Sequence, residues 1–282
     1  MKVVITGAYG QLGLAFQQEF IRKGIPFWGT DLATCNITKS EEVKQVLDIQ
    51  KPTVLINCAA YNLVDDAEKD QAAAFEVNTD AVKILSSACQ ERGIKFVHYS
   101  SDYVFDGKKG ALYTEDDAVN PLNVYGRSKH EGEVALCKIS ANHLIFRTSW
   151  VYGHGKQNFL YKLSQWTKTN QVIRVSVDEI SVPTYVEDIV WVTMKALEKG
   201  SFGLYHLTSR GFASRYEWAK AYVEAAGLKT QIMPAQIASF SLKAARPFFS
   251  AMSNQKISKE LNIQIPFWQE GLEKYVRSME GQ

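Results

Sequence analysis

Three glycines near the amino terminus restrict the fold of this chain more than any other feature. The apolar run Val3 to Ile5 predicts a buried strand, and Gly7, Gly10 and Gly13 follow it directly. The segment from Gln11 to Arg22 places its apolar residues on one face and predicts a helix. A strand that passes through a glycine-rich turn into a helix is the first unit of a parallel α/β sheet. The free N–H groups at the start of such a helix bind the pyrophosphate of a dinucleotide.

The same alternation of short β-branched runs and longer helical stretches continues to about residue 150. Predicted strands lie at residues 3–5, 27–28, 53–56, 95–99 and 144–146, and predicted helices lie at 11–22, 40–49 and 72–90. Such alternation implies crossover connections between parallel strands. We therefore expect an α/β fold of the Rossmann type, a doubly wound parallel sheet with helices on both faces.

Beyond Trp150 the pattern changes to mixed helices and loops, with prolines as punctuation. The sequence predicts a nucleotide-binding domain at residues 1–150, to which part of 171–205 returns. Residues 151–282 are then mainly a smaller C-terminal α/β domain that binds the substrate. A chain of 282 residues is long enough for this arrangement.

Composition argues against several classes of partner. The net charge is +2, with acids and bases mixed along the chain, so there is no basic stripe for nucleic acid. No apolar run approaches the roughly 20 residues that span a bilayer, so we expect no membrane partner and a cytoplasmic location. The four cysteines contain no C-x-x-C pair and are expected to be reduced thiols.

The glycine motif and an acidic residue predict the cofactor site. Gly7 permits the tight turn, Gly10 lets the backbone approach the pyrophosphate, and Gly13 allows close packing of helix on sheet. Asp31 follows the second predicted strand, where a carboxylate accepts hydrogen bonds from the adenosine ribose. No Arg or Lys lies between Gly24 and Lys39 to attract a 2′-phosphate. Residue chemistry therefore favours NADH over NADPH.

Small residues follow the third predicted strand. Ala59 and Ala60 come after Asn57-Cys58, at a strand end where a ligand crosses an open α/β sheet. Small side chains there would let the adenosine ribose and the nicotinamide lie flat. A tight strand end with no ligand explains this short sequence almost as well.

Tyr125 and Lys129 predict a proton-transfer site. They are four residues apart in a stretch that is helical in pattern from about 122 to 136, so both lie on one face. Lowering a tyrosine pKa from about 10 to about 7 requires roughly 4 kcal/mol. One ammonium at about 4 Å supplies roughly that amount at an effective dielectric of about 20. The Y-x-x-x-K spacing also occurs in many surface helices, but here Ser101 follows a preceding strand and can bind the same reacting oxygen.

With these motifs the chain resembles the extended short-chain dehydrogenase/reductases, and within them the branch that reduces dTDP-4-dehydro-L-rhamnose at C4. The resemblance runs nearly end to end. It is carried by the segments 10–13 (GQLG), 64–68 (VDDAE), 100–107 (SSDYVFDG), 121–126 (PLNVYG), 146–152 (FRTSWVY), 203–207 (GLYHL) and 245–247 (ARP).

The resemblance implies a role for each matched residue. Tyr125 would donate the proton, Lys129 would lower its pKa and contact the nicotinamide ribose, and Ser101 would complete the triad. The cofactor, NADPH or NADH, would be lined by Gly7, Gly10, Gln11, Leu12, Gly13, Asp31, Asn36, Ala59, Ala60, Tyr61 and Asn62. The substrate, a sugar nucleotide, would be contacted by Ser101, Asp102, Tyr103 and Trp150. Residue chemistry adds Arg246, whose guanidinium beside Pro247 suits the substrate diphosphate, although a surface ion pair explains it equally well.

Several positions in the predicted substrate half depart from the family pattern. Glu179 and Ser181 stand where Gln and Gly are usual, and Arg215 stands where Trp is usual. An expected Arg-Arg-Pro run is shortened to Arg246-Pro247. These changes bear on sugar identity more than on redox chemistry. The resemblance also allows magnesium and either a monomer or a homodimer, although no acidic cluster in the sequence marks a metal site.

Other functions fit the same fold. A related epimerase would recycle its bound cofactor, and a 4,6-dehydratase would place Asp-Glu after its Ser/Thr where this chain has Asp102-Tyr103. A regulatory subunit like that of methionine adenosyltransferase would bind nucleotide without reducing a sugar. Retention of both Tyr125 and Lys129 argues against that last function.

Overall fold

The computed structural model describes residues 1–280, and the last two residues of the predicted substrate domain, 281 and 282, lie outside the described residues. The strands within this range are β1 (Val3–Thr6), β2 (Phe27–Thr30), β3 (Val54–Asn57), β4 (Lys95–Ser101), β5 (His143–Thr148), β6 (Val151–Tyr152), β7 (Val172–Ser176), β8 (Ile180–Ser181), β9 (Thr184–Tyr185), β10 (Gly203–His206), β11 (Ala213–Ser214) and β12 (Gln231–Ala235).

Residues 1–280 also contain the α-helices, and those predicted at 11–22, 40–49 and about 122–136 lie within three residues of their predicted bounds. The α-helices are α1 (Gln11–Lys23), α2 (Ser40–Gln50), α3 (Val64–Ala67), α4 (Gln71–Phe75), α5 (Ala81–Arg92), α6 (Val124–Ile139), α7 (Phe159–Trp166), α8 (Val186–Lys199), α9 (Arg215–Ala225), α10 (Gln255–Leu261) and α11 (Trp268–Glu280).

Six parallel strands form the central sheet in the order β10-β5-β4-β3-β1-β2. From β1 the chain winds to β2 on one side, and from β3 it winds through β4 and β5 on the other. The direction of winding reverses between β1 and β3, and ligands of open α/β sheets bind outside the carboxyl ends of the strands at such a point. The predicted Rossmann-type sheet is confirmed.

The core lies in two layers, one on each face of the sheet. Because successive side chains of a strand point to opposite faces, Val3 and Ile5 join one apolar cluster and Val4 joins the other. Helices α1 and α8 pack together on the first face, and α2, α5 and α6 pack on the second. Phe16 and Phe20 of α1 are fully buried against the first face.

Two elements differ from their predicted form. The predicted helix 72–90 is divided by a π-helical turn at Glu76–Asp80, which separates α4 from α5. Strand β4 continues two residues past the predicted end at Tyr99, so Ser100 and Ser101 pair with Arg147 and Thr148 of β5. Ser101 therefore sits in a hydrogen-bonded strand end, which is a stiffer position than the loop that sequence alone indicates.

Strand β10 follows α8 and adds to the edge of the central sheet beside β5. Outside the sheet, the described residues contain three two-stranded pairs, β7 with β12, β6 with β9, and β8 with β11. The division into two domains at residue 150 stays a prediction. Within residues 1–280 no helix is both long and apolar enough to traverse a bilayer.

Candidate active site

A cleft of about 1460 Å³ opens at the carboxyl ends of the sheet strands, on the side where the sheet order reverses. It brings together most of the residues that the sequence predicts for cofactor, catalysis and substrate. Those that line it are Gly7, Gly10, Gln11, Leu12, Asp31, Asn36, Ala59, Ala60, Asn62, Ser101, Asp102, Tyr103, Tyr125, Lys129, Trp150 and Arg246. Gly13 and Tyr61 do not line it.

The glycine loop has the geometry that a pyrophosphate cradle requires. Gly7 has φ +64°, and a Cβ there would lie 2.5 Å from the backbone nitrogen of Ala59. A Cβ on Gly13 would lie 2.5 Å from the carbonyl oxygen of Gly7, which explains why Gly13 packs under the loop instead of facing the cleft. Gly10 precedes α1 and contributes no side-chain cap, so the first N–H groups of the helix are open to an anion.

The Gln11 side chain is hydrogen-bonded to β6 and to the segment that follows it. Its Nε2 donates to the carbonyl oxygen of Val151 at 3.1 Å, and its Oε1 accepts from Asn158 Nδ2 at 3.2 Å. The Gln11 side chain therefore ties the glycine loop to residues 151–158. Sequence reasoning predicted the position of Gln11 but not this tie, because Asn158 lies 147 residues away.

Asp31 lies just after β2 and holds its carboxylate at the edge of the cleft. Its oxygens accept from the backbone N–H groups of Leu32 at 2.8 Å and Tyr9 at 3.3 Å. No cation among residues 1–280 forms a salt bridge with it. Asn36 caps its own turn, since its Oδ1 accepts from the N–H and hydroxyl of Thr38.

The predicted cofactor residue Tyr61 is placed outside the cleft. Its backbone N–H donates to Asn78 Oδ1 at 3.0 Å and its carbonyl accepts from Asn78 Nδ2 at 2.9 Å. Its ring packs against a small apolar cluster that contains Ala67 and Val124. Because its side chain packs in this cluster, Tyr61 does not line the cleft, and the structure adds no support for its predicted contact with the cofactor.

Helix α6 carries Tyr125 and Lys129 into the cleft. Asn123 starts the helix, because its Oδ1 accepts from the N–H of Gly126 at 2.7 Å. Lys129 is 2% exposed and donates from Nζ to the carbonyl oxygen of Tyr99 at 2.6 Å. The Ser101 hydroxyl accepts from the N–H of Tyr103 at 3.1 Å. Strand β4 and helix α6 thus present a hydroxyl, a phenol and an amine to one place.

The expected lowering of the tyrosine pKa is not found. Burial raises the pKa of Tyr125 to about 12, against the opposing effect of the Ser101 hydroxyl. Burial lowers the pKa of Lys129 to about 8, and the charge of Glu133 opposes that change. Desolvation is the largest influence on both groups, and it disfavours the charged form of each.

Asp102 is a buried carboxyl held by three hydroxyl groups. Its Oδ2 accepts from Ser250 at 2.5 Å and from Ser181 at 2.7 Å, and its Oδ1 accepts from Ser101 at 3.2 Å. Burial raises the pKa of Asp102 to about 6, and these hydrogen bonds oppose the rise. Ser181 is one of the departures from the family pattern, and the structure shows that its hydroxyl contacts a predicted substrate residue.

Two arginines, Arg246 and Arg215, line the cleft. Arg246 forms a bidentate ion pair with Asp65, with its Nη2 at 2.7 Å from Oδ2 and its Nη1 at 3.2 Å from Oδ1. Arg215 lies 3.5 Å from Glu179, which also accepts from the Tyr103 hydroxyl at 3.2 Å. Glu179 and Arg215 are separate departures from the family pattern, and they meet in one ion pair.

Comparisons with known proteins agree with this geometry. Residues 1–280 match a family model described as RmlD substrate binding domain. The dTDP-4-dehydrorhamnose reductase of Burkholderia thailandensis is 35% identical over 298 residues, which cover 99% of each chain. The chain belongs to the dTDP-4-dehydrorhamnose reductase family. The spore coat polysaccharide biosynthesis protein SpsK of Bacillus subtilis is 34% identical over 276 residues, covering 98% of this chain and 97% of SpsK.

A solved dTDP-4-dehydrorhamnose reductase shares the fold almost completely. The crystal structure of the Bacillus anthracis enzyme in complex with NADP has a TM-score of 0.95 and 34% identity, and the match covers 98% of this chain and 99% of that one. A nicotinamide dinucleotide, the kind of cofactor bound in that crystal structure, also fits the glycine loop and the cleft of this chain.

The described side chains do not form a site that fits magnesium. Among the side chains that the structure describes, residues 1–279, no group of three or more His, Cys, Asp or Glu could hold a metal ion. The carboxylates nearest the reacting residues are already engaged by hydroxyls or by guanidinium groups. No step of the chemistry is therefore assigned to a metal.

Sequence reasoning missed a buried ion pair behind the reacting residues. Glu133 lies four residues after Lys129 on α6, and Arg147 of β5 binds both of its oxygens at 2.8 and 2.7 Å. Burial is the largest single influence on the Glu133 carboxyl and raises its pKa. The hydrogen bonds from Arg147 and His130, together with the Arg147 charge, outweigh burial and lower the pKa to about 2. The sequence did contain a signal for Glu133, because it continues the four-residue spacing of Tyr125 and Lys129 and so lies on the same face of α6.

Proposed function

We propose that this chain reduces the C4 keto group of dTDP-4-dehydro-L-rhamnose to give dTDP-L-rhamnose, with NADPH or NADH as the source of hydride. The chain is an NAD(P)H-dependent oxidoreductase, and its product would be a sugar-nucleotide precursor of polysaccharide. The observation that carries the proposal is the single cleft that joins the glycine loop to Ser101, Tyr125 and Lys129. We place the enzyme in the cytoplasm, as a monomer or homodimer.

The cofactor would be held mainly by backbone. The N–H groups at the start of α1 would receive the pyrophosphate, and Asp31 would accept hydrogen bonds from the adenosine ribose. Ala59, Ala60 and Asn62 would line its path towards Lys129. The bound nicotinamide supplies the hydride for C4.

Tyr125 would give the proton to the C4 oxygen as hydride arrives. A phenol whose pKa burial raises to about 12 is protonated at neutral pH, which is the form that reduction needs. Lys129, with a pKa lowered by burial to about 8, is still cationic at pH 7 and would stabilise the phenolate that remains. Ser101 would turn its hydroxyl proton from Asp102 Oδ1 to the reacting oxygen and hold that oxygen by a hydrogen bond.

The substrate would lie on the opposite wall. Asp102, Tyr103 and Trp150 would contact the sugar, since all three line the cleft beside Tyr125. The rings of Tyr103 and Tyr125 meet edge to face with centroids 5.8 Å apart, so Tyr103 would also fix the direction of the phenol.

One assay tests the proposal. Purified protein is incubated with dTDP-4-dehydro-L-rhamnose and either NADH or NADPH, cofactor oxidation is followed by absorbance, and the sugar product is identified by NMR. We expect one cofactor oxidised for each dTDP-L-rhamnose formed. Sugar conversion without net cofactor consumption would identify an epimerase, and binding without conversion would favour a regulatory role.

A further inference from the structure

Arg215 is held in a fixed direction before any ligand binds. Its guanidinium carbon lies 3.7 Å from the centre of the Trp150 ring, and its Nη2 lies 3.5 Å from Glu179 Oε1. Its backbone N–H also donates to the carbonyl oxygen of Glu179 at 3.1 Å. Stacking and an ion pair orient the guanidinium, so a ligand that binds it orders little further side-chain freedom.

Hydrogen-bond donors remain available on this guanidinium. A guanidinium has five N–H donors, and among the side chains described for residues 1–279 and the backbone of 1–280, Glu179 is the one acceptor that the Arg215 side chain reaches. Arg246 differs, because it donates to both oxygens of Asp65 and to the carbonyl oxygen of Ala244 at 3.0 Å. Of the two arginines on this wall, Arg215 has more donors to offer the cleft.

The charge of Arg215 reaches the reacting end of the cleft. Burial raises the pKa of Asp102 to about 6, and the Arg215 charge is one of the groups that oppose this rise. Trp150, on which Arg215 stacks, lines the same cleft. A ligand group that meets Arg215 therefore lies close to the sugar position assigned above.

We infer that Arg215 binds the diphosphate of the sugar nucleotide and determines the preference for a nucleotide-linked sugar. In a sugar nucleotide the sugar is neutral and the adjoining diphosphate carries the negative charge. A planar guanidinium binds two phosphate oxygens at once through parallel hydrogen bonds. The inference rests on the proposed function, because it takes a sugar nucleotide as the ligand.

Binding of dTDP and of dTDP-L-rhamnose, measured by calorimetry, tests the inference without requiring turnover. We expect Arg215→Met to weaken both by at least tenfold, while Arg215→Lys, which keeps the charge but not the fork, weakens them less. The dissociation constant of NADPH should not change. In turnover assays, Arg215→Met should raise the KM for the keto sugar, while its kcat should stay within about threefold of the parent value.

A matched control is available outside the cleft. Arg210 stacks on the Phe267 ring at 4.1 Å, and neither residue lines the cleft. Arg210→Met should leave both affinities within twofold of the parent. If the methionine variant of Arg215 does not fold, as judged by lost NADPH binding, the lysine variant decides.

Two results would overturn the inference. One is an unchanged affinity for dTDP in the Arg215 variants, and the other is a loss confined to dTDP-L-rhamnose, which would place Arg215 on the sugar. Failure of the proposed function is a separate outcome. A parent protein that binds dTDP through Arg215 but does not reduce the keto sugar would retain the inference and lose the reaction.

Discussion

The two walls of the cleft are built in different ways. The cofactor wall depends on backbone geometry within short segments, as in the turn from Gly7 to Gly13. The substrate wall depends on side chains from distant segments, as where Asp102 meets Ser181 and Ser250 across 79 and 148 residues. A local motif fixes the first wall, whereas tertiary packing fixes the second, so changes in sugar specificity can accumulate while the cofactor wall is retained.

The largest expected effect lies where the two walls meet. Tyr125→Phe removes the proposed acid and should lower kcat by about 10²- to 10⁴-fold, the range for loss of a general acid. The dissociation constant of NADPH should stay within about twofold, since the glycine loop is untouched. Stopped-flow absorbance and fluorescence titration measure the two quantities. A variant that reduced the keto sugar at the parent rate would show that another group is the acid.

The substrate wall should carry a pH-dependent stability that Asp102→Asn removes. Burial raises the pKa of Asp102 from 3.8 to about 6, so the folded protein holds this proton more tightly than the unfolded chain does. Its contribution to stability is therefore full below pH 3.8 and is lost as the pH rises through about 6. A shift of about two pKa units corresponds to roughly 3 kcal/mol.

Urea unfolding at several pH values between 3.5 and 7 checks this expectation, with the ranges set by the cited pKa values. The difference in unfolding free energy between parent and Asp102→Asn should change in favour of the variant as the pH rises. A constant difference would mean that Asp102 does not titrate in this window.

The cofactor wall should respond to a single methyl group. Gly7→Ala adds a Cβ 2.5 Å from the Ala59 nitrogen at φ +64°, so we expect the free energy of unfolding to fall by about 2 kcal/mol or more and NADPH to bind less tightly. Gly24→Ala is the matched control, because Gly24 has the same φ and nothing within 4 Å of its Cβ. It should cost only about 1 kcal/mol. Equal losses would mean that the close approach to Ala59 is unimportant.

The smallest expected effect concerns coenzyme choice. Asp31→Ser removes a charge that would face a 2′-phosphate, and one charge at about 4 Å in water is worth about 1 kcal/mol. The ratio of kcat/KM for NADPH to that for NADH should therefore rise about fivefold. Asp116→Ser, an exposed acid outside the cleft, should leave the ratio unchanged. A ratio unmoved by the Asp31 change would assign coenzyme choice to other residues.

Sequence patterns predicted the sheet because it follows local rules, and the same rules underlie the proposed cofactor wall. Strand, glycine turn and helix are adjacent in the chain around Gly7, and the four-residue spacing placed Tyr125 and Lys129 on one face. The predicted lowering of the Tyr125 pKa was wrong, because burial raises that pKa to about 12 and burial on α6 cannot be read from spacing. The ion pair of Glu179 with Arg215 was not predicted either. Its members are 36 residues apart and meet only when β8 and α9 pack.

Strand β10 has a consequence for recombination between relatives. Because Gly203–His206 pairs with β5 at the edge of the sheet, a chimaera with one junction near residue 150 would take the two strands of this ladder from different parents. A chimaera that exchanges sugar recognition must therefore use at least two junctions, one on each side of α8 and β10. The strands of the central sheet are therefore encoded in two separated stretches of the gene.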